Sequence, residues 1–214
     1  MRIVDCKQGE VPWFAARCGL VTASEVDALV TPKFAIRKGA GVDSYVCKKV
    51  AEKLLGWSAD MLAPVGSWAM DQGQIVEKIA LPWFEFQYNC TVRRVGFCAC
   101  DSGPYAGRIG CSPDGIVGDS EGLEVKSPQP PKMVEYLLAG VVPEDYLAQI
   151  HFSMLVTGFT SWTFVAYSRH FDSLVVKVER DEAIQAKLRE ALDGFVARFD
   201  AALSKISNLK GPTP

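Results

Sequence analysis

Apolar residues recur along this chain at two spacings, and the alternation between them predicts the architecture. In "VDSYVCKKVAEKLLG", Val42, Val46, Val50 and Leu54 repeat every fourth residue and Gly56 closes the run, which predicts an amphipathic helix. "VPWFAARCG" predicts a shorter helix, with Pro12 near its start and Gly19 beyond its end. "TASE" at residues 22–25 has the Thr-x-x-Glu form of a capping box opening a second helix. The Pro, Gly and basic content of "TPKFAIRKGAG" then reads as a loop. "SWAMDQGQIVEKIALPWFEFQY" is helical in pattern, with Pro82 kinking it or starting a new piece.

From "CTVRRVGFCAC" to "LEVKS" the β-branched content and the turn residues predict a run of strands. "GDSEG" at 118–122 is a hairpin turn by composition, and "SPQPP" ends the last strand because proline cannot continue a ladder. "PKMVEYLLAG" and "PEDYLAQIHFSMLVTG" predict two helices, each closed by a glycine, and "SWTFVAYS" and "SLVVKVE" two further strands. A last long helix sets Ile184, Leu188, Leu192, Phe195, Phe199 and Leu203 on one face. This order predicts an α/β fold with a mixed central β-sheet flanked by helices.

Composition narrows the setting more than the function. With 214 residues, 49% apolar and 22% charged, the chain has the make-up of one sizeable soluble domain. No segment approaches the ~18 apolar residues of a membrane helix, and "MRIVDCKQGE" lacks the apolar core of a secretory signal. Seven cysteines, odd in number and without a framework, imply a reducing cytoplasmic setting. "CAC" at 98–100 is not C-x-x-C and no cysteine follows Cys111, so buried small hydrophobes are favoured over a metal site. The net charge of −2 does not advertise nucleic-acid binding, although local basic clusters can line a groove on a near-neutral protein.

The chemistry concentrates in "IGCSPDGIVGDSEGLEVKSP", residues 109–128. Side chains alternate along a strand, so Glu124 and Lys126 share one face while Leu123 and Val125 point into the core. The hairpin at 118–122 folds this strand back on the one leaving Gly115, which can bring Asp114 near Glu124. Two adjacent carboxylates repel each other unless a cation lies between them. Hard oxygen ligands with water left in the shell are what Mg²⁺ prefers. A neighbouring lysine can orient or deprotonate a water, and the set suits phosphodiester hydrolysis. Taken alone, Glu-x-Lys is far more often the solvated face of a strand.

Pro113-Asp114 followed by Glu124-Val125-Lys126 matches the PD-(D/E)XK nuclease pattern. The surrounding text resembles the lambda-type exonuclease, or YqaJ-like viral recombinase, branch of that superfamily. The likeness runs from "PWFAARCGLVTASEV" through "GQIVE", "GCSPDG" and "LEVKSP" to "YLAQIHFSMLVTG", most of residues 10–165. It implies a restriction-endonuclease-like core within a single nuclease domain over 1–214: N-terminal helices 10–56, catalytic core 67–180, C-terminal helix 181–206. Asp114, Glu124 and the backbone carbonyl of Val125 would bind Mg²⁺, as a pair of ions for which Mn²⁺ is the candidate substitute. Lys126 would activate or position the attacking water. Glu77 would support the metal site from a helix, and Gln149 would sit beside it. Taken by themselves, Glu77 and Gln149 read as ordinary helix-surface groups.

Arg17 precedes the Thr22–Glu25 segment, and one guanidinium beside the Thr22 and Ser24 hydroxyls at a helix start would make an anion site, with a helix-capped surface arginine an equal alternative. In the resembled family the matching arginine holds the 5′-phosphate of the degraded strand. Lys33, Arg37 and Lys38 would grip the duplex backbone, with a plain solvated loop an equal alternative. No role follows for His151, for which a structural place is favoured, and His170 reads as a turn residue. The resemblance implies a 5′→3′ exonuclease on linear double-stranded DNA, phage- or prophage-encoded and acting in a bacterial cytoplasm. It would form a homotrimeric ring and hand a 3′ tail to a single-strand annealing protein. Two rivals are a structure-specific or iron–sulfur nuclease of the same superfamily, the latter disfavoured by the cysteine positions, and a non-catalytic DNA-end module.

Overall fold

The computed structural model describes residues 1–56 and 68–209. Ser67, the first residue of the helix predicted from "SWAMDQGQIVEKIALPWFEFQY", lies outside them. Among the described residues the predicted alternation of periods is realised. Helix α1 (Val11–Arg17) carries a proline in its first turn, and α2 (Ala40–Leu55) stops at Gly56, which takes a positive φ of 70°. Helix α3 (Trp68–Tyr88) continues through Pro82 as one element. Helices α4 (Pro130–Ala139) and α5 (Glu144–Thr157) both end on a left-handed glycine, Gly140 and Gly158, whose missing Cβ allows the chain to leave the helix there. Helix α6 (Glu182–Leu209) closes the described chain.

One helix differs from expectation. Residues Ala23–Ala28 form a 3₁₀ helix, and Thr22, at its N-cap, makes no side-chain capping bond. The reciprocal bonds of a capping box are absent because Thr22 donates its hydroxyl to the carboxylate of Glu25 instead, at 3.0 Å. A helix of six residues with eclipsed side chains is also a weak source of dipole, so the expected helix-start anion site is not formed by the helix itself.

The strands divide between two mixed sheets. A four-stranded sheet runs β1 (Arg2–Val4), β4 (Phe97–Ala99), β5 (Ile109–Cys111), β2 (Val21–Thr22), with β2 and β5 parallel. The five-stranded sheet runs β3 (Val92–Arg93), β6 (Gly115–Val117), β7 (Glu121–Lys126), β8 (Ser161–Ala166), β9 (Leu174–Glu179). Its β7–β8 pair is parallel and the others are antiparallel. The N-terminal strand β1, pairing with β4, carries no sequence signal strong enough to predict it from three residues.

Period-two alternation assigns the faces of the larger sheet. Leu123 and Val165 pack with Ala80, Leu81 and Phe84 of α3 on one side. Ile116, Trp162 and Phe164 pack with residues of α5 and α6 on the other, where Leu188, Leu192, Phe195 and Phe199 present the predicted apolar face. Burying both faces leaves β8 without an exposed residue and β7 half covered. The helical layer from α5 therefore lies over the face that carries Glu124 and Lys126.

Gly122 is required by this packing. A Cβ there would lie 2.3 Å from the ring of Trp162, which is fully buried. Gly122→Ala should accordingly destabilise the fold by about 1–3 kcal/mol through overpacking, read as a lower urea midpoint with an unchanged m-value.

Candidate active site

The mouth of the β6–β7 hairpin builds the site. Gly115 pairs with Leu123, and one residue earlier Asp114 donates its backbone N–H to the Leu123 carbonyl at 3.1 Å. There the ladder to β6 ends. The next inward-facing N–H of β7, that of Val125, donates to Asp114 Oδ2 at 2.6 Å in place of a backbone acceptor. The Val125 carbonyl leaves the strand on this same edge, beside Asp114, because N–H and C=O of one strand residue share a direction. The hairpin thus brings Asp114, Glu124 and the Val125 backbone to one end of the sheet, as the sequence predicts.

Glu124 is only 3% exposed, so the solvated-strand reading fails. Its Oε1 accepts from Lys126 Nζ at 2.5 Å and from Gln149 Nε2, on α5, at 2.8 Å. Lys126 also lies over the ring of Tyr146, 5.1 Å from its centroid. Burial alone would lower the Lys126 pKa, but Glu124 and Asp114 outweigh it and hold the amine above its ordinary value, as an ammonium. The Asp114 carboxyl is pushed well above the usual range, first by burial and then by the charge of Glu124. Glu77, on α3, is raised by burial and by Glu124, against the opposing pull of Arg94. All five sequence-predicted groups, Asp114, Glu124, Lys126, Gln149 and Glu77, therefore belong to one electrostatic unit.

The donor set fits a hard divalent cation. Among the described residues no hydrogen-bond donor occupies Asp114 Oδ1 or Glu124 Oε2, and the Asp114 carboxylate, disfavoured by burial and by the charge of Glu124, gains from a positive charge placed between the two acids. No three His, Cys, Asp or Glu side chains gather there into a closed cage among the described residues. Two carboxylates and one backbone carbonyl form an open oxygen set that leaves room for water, as Mg²⁺ prefers.

A second cluster lies a short way upstream. Arg17, at the end of α1, donates through NH2 to Thr22 at 3.2 Å and Ser24 at 2.9 Å, and through NH1 to Ser112 at 3.2 Å. Its guanidinium stacks on Trp13 at 4.2 Å, and Trp13 Nε1 donates to the same Ser112 hydroxyl at 2.8 Å. Burial pulls the Arg17 pKa down while Glu25 pulls it up. Ser112 is half-buried, and with its oxygen accepting from Arg17 and Trp13 its hydroxyl proton remains for an incoming anion, whereas exposed Ser24 also lies 3.4 Å from the Thr22 hydroxyl oxygen, to which its proton can turn. Thr22 is fully buried and spends its proton on Glu25, so it anchors Arg17 and does not face a ligand.

Ser112, Trp13 and Tyr146 were not legible as site residues. Ser112 stands directly before Pro113-Asp114, which marks it only after the fold is known. Tyr146 precedes Gln149 by three residues and so shares its helical face, a signal the α5 pattern does contain. Lys33, Arg37 and Lys38 are all exposed, and none joins the hydrogen bonds of Arg17 or Glu124. Arg37 donates to the Val30 carbonyl at 3.3 Å and, with Lys38 and Asp27, lines an open cavity of about 460 Å³. His151 is buried with its ring 6.0 Å from Phe34, away from Glu124, and serves as core. His170 lies in an exposed bend. Among the described cysteines all are free; Cys98 and Cys111 are buried cross-strand partners.

A hairpin-borne Asp, Glu and Lys on a mixed sheet packed between helices is a PD-(D/E)XK-type nuclease fold. The chain belongs to the family of YqaJ-like viral recombinase domains, whose model matches residues 12–160. It is similar in structure to an alkaline exonuclease, LHK-Exo, from Laribacter hongkongensis, with a TM-score of 0.77 and 26% identity, over 92% of this chain and 95% of that one. The same exonuclease in complex with dAMP matches with a TM-score of 0.77 and 27% identity over the same shares of the two chains. A phage-related exonuclease from Haemophilus somnus 129PT shares the fold, with a TM-score of 0.60 and 13% identity, over 87% of this chain and 96% of that one. No curated protein matches. These likenesses support a nuclease role. No described helix is long and apolar enough to cross a membrane.

Glu25 supplies a stability test of the second cluster. Burial alone would raise its pKa, but Lys49 and Lys48 outweigh it and bring it from 4.5 to about 2. A carboxylate depressed on folding stabilises fully above its unfolded value and loses that contribution as pH falls from about 4.5 towards 2. Acid denaturation of the wild type should therefore include a component on the order of 1–3 kcal/mol in that window, allowing for screening. Glu25→Gln should lack that component when unfolding free energy is measured against pH.

Proposed function

We propose that this protein is a Mg²⁺-dependent 5′→3′ exonuclease that degrades one strand of linear double-stranded DNA from a 5′-phosphorylated end. The observation that carries the reading is the short connection between the two clusters: Ser112, which holds Arg17, is two residues from Asp114. A terminal phosphate bound at Arg17, Ser24 and Ser112 would set the next phosphodiester beside the carboxylates. This recognises an end, because an internal phosphate carries less charge and continues into more chain.

Asp114, Glu124 and the Val125 carbonyl would hold the Mg²⁺, with Mn²⁺ a chemically suitable substitute. When bound, the cation supplies Lewis-acid stabilisation of the developing phosphoryl charge and a more acidic water. Lys126, an ammonium fixed between Glu124 and Tyr146, orients the attacking water and opposes negative charge building on phosphorus. Gln149 keeps Glu124 turned so that Oε2 faces the site, and Glu77 adds negative charge from the α3 layer. Exposed Lys33, Arg37 and Lys38 contact the duplex backbone.

The family relationship also supports a phage- or prophage-encoded enzyme acting in a bacterial cytoplasm. Three copies would form a ring around DNA, giving processivity by closure, and the 3′ tail would pass to a single-strand annealing protein. The whole chain serves as one nuclease domain.

Release of acid-soluble nucleotides is the decisive measurement. Linear duplex with 5′-phosphates should be degraded in Mg²⁺, and chelation should stop it. Covalently closed circular duplex should survive, whereas its cleavage would indicate an endonuclease. Lys126→Ala should lower the rate by about 10²–10⁴-fold with the fold retained. Binding without metal-dependent release would overturn the catalytic reading.

A further inference from the structure

We infer that Glu25 is a positioning residue for the Arg17 pocket: its carboxylate takes the Thr22 hydroxyl proton, so Thr22 meets Arg17 as an acceptor and fixes the guanidinium. The inference rests on the reading of that pocket as the 5′-phosphate site.

A hydroxyl has one proton, and its direction decides what else the oxygen can do. Thr22 Oγ1 donates to Glu25 Oε2 at 3.0 Å and accepts from Arg17 NH2 at 3.2 Å. Were the proton turned towards Arg17, donor would face donor. Glu25 prevents this for as long as it is an anion. Lys48 Nζ reaches Oε1 at 2.7 Å, Lys49 Nζ reaches Oε2 at 2.8 Å, and the Tyr45 hydroxyl donates to Oε2 at 3.3 Å.

The clamp is anchored to the fold. Lys49 is 2% exposed and also pairs with Glu52 at 2.9 Å, while Glu52 accepts the Gly19 N–H at 2.9 Å. Helix α2 is thereby tied to the turn between α1 and β2 that carries the pocket. The charges balance in favour of an anion. Arg17, Lys48 and Lys49 contribute three positive charges against two negative ones from Glu25 and Glu52, a surplus of one. Glu25 thus orders the pocket without cancelling its attraction for phosphate.

The test compares kcat/KM on one linear duplex bearing either a 5′-phosphate or a 5′-hydroxyl, with folding checked by circular dichroism and thermal melting. For Glu25→Gln the phosphate-to-hydroxyl ratio should fall about tenfold, the loss appearing mainly in KM. Thr22→Val should give a similar fall, Thr22→Ser should restore the ratio, and Glu25→Gln with Thr22→Val should be no worse than Thr22→Val alone. If Glu25→Gln does not fold, Glu25→Asp keeps the charge but withdraws it from Thr22, and should also lower the ratio. A wild type that discriminates while the folded Glu25 variant discriminates equally overturns the inference alone. A wild type indifferent to the 5′-phosphate overturns the pocket reading and the inference with it.

Discussion

The hydrogen bond from the Val125 N–H to the Asp114 carboxylate is the constraint on which the site depends. It replaces the next backbone rung of the β6–β7 ladder with a side chain, at the point where the hairpin opens. A strand edge that would otherwise need another strand or water is satisfied by an acid, and the acid is fixed with one oxygen spent and one left over. Glu124, one residue back on the other side of the pleat, is fixed the same way by Lys126 and Gln149 on its Oε1. A buried and a half-buried acid, each with one oxygen uncommitted, form an arrangement that repels itself and attracts a cation.

That repulsion is set by layers packed against the site on both sides. Trp162 fills the space under Gly122, α5 supplies Gln149 and Tyr146, and α3 closes the opposite face. The lysine in the site is no proton acceptor as it stands. Its pairing with Glu124 and Asp114 keeps it charged, so its contribution in this arrangement is position and field. The Arg17 pocket follows a related logic, with a partly buried guanidinium ordered by hydroxyls, a tryptophan face and a clamped carboxylate behind them. In both clusters a cation is held by neighbours that are themselves hydrogen-bonded or ion-paired.

The pieces legible in the sequence were those with local causes. Glycine-closed amphipathic helices were placed nearly to the residue, as at Gly56, Gly140 and Gly158, because the terminating conformation belongs to the glycine itself. The hairpin at 118–122 and the shared face of Glu124 and Lys126 followed from turn chemistry and the two-residue repeat. The Thr22–Glu25 segment misled because its spacing suits both a capping box and a side-chain pair. Lys48 and Lys49, arriving from α2, decided in favour of the pair.

The sequence by itself determined which residues are acidic, where the strands turn, and, through its resemblance, the nuclease family to which the chain belongs. Tertiary structure alone decided the division of strands into two sheets, the pairing of β1 with β4, and the meeting of Ser112 with Arg17 across 95 residues. It also decided that Thr22 is an anchor and that Lys33, Arg37 and Lys38 remain on the surface. The physical reason is range. Turn and periodicity signals arise from a few neighbouring dihedral angles, whereas hydroxyl direction, ion pairing and burial are set by segments that folding brings in from elsewhere in the chain.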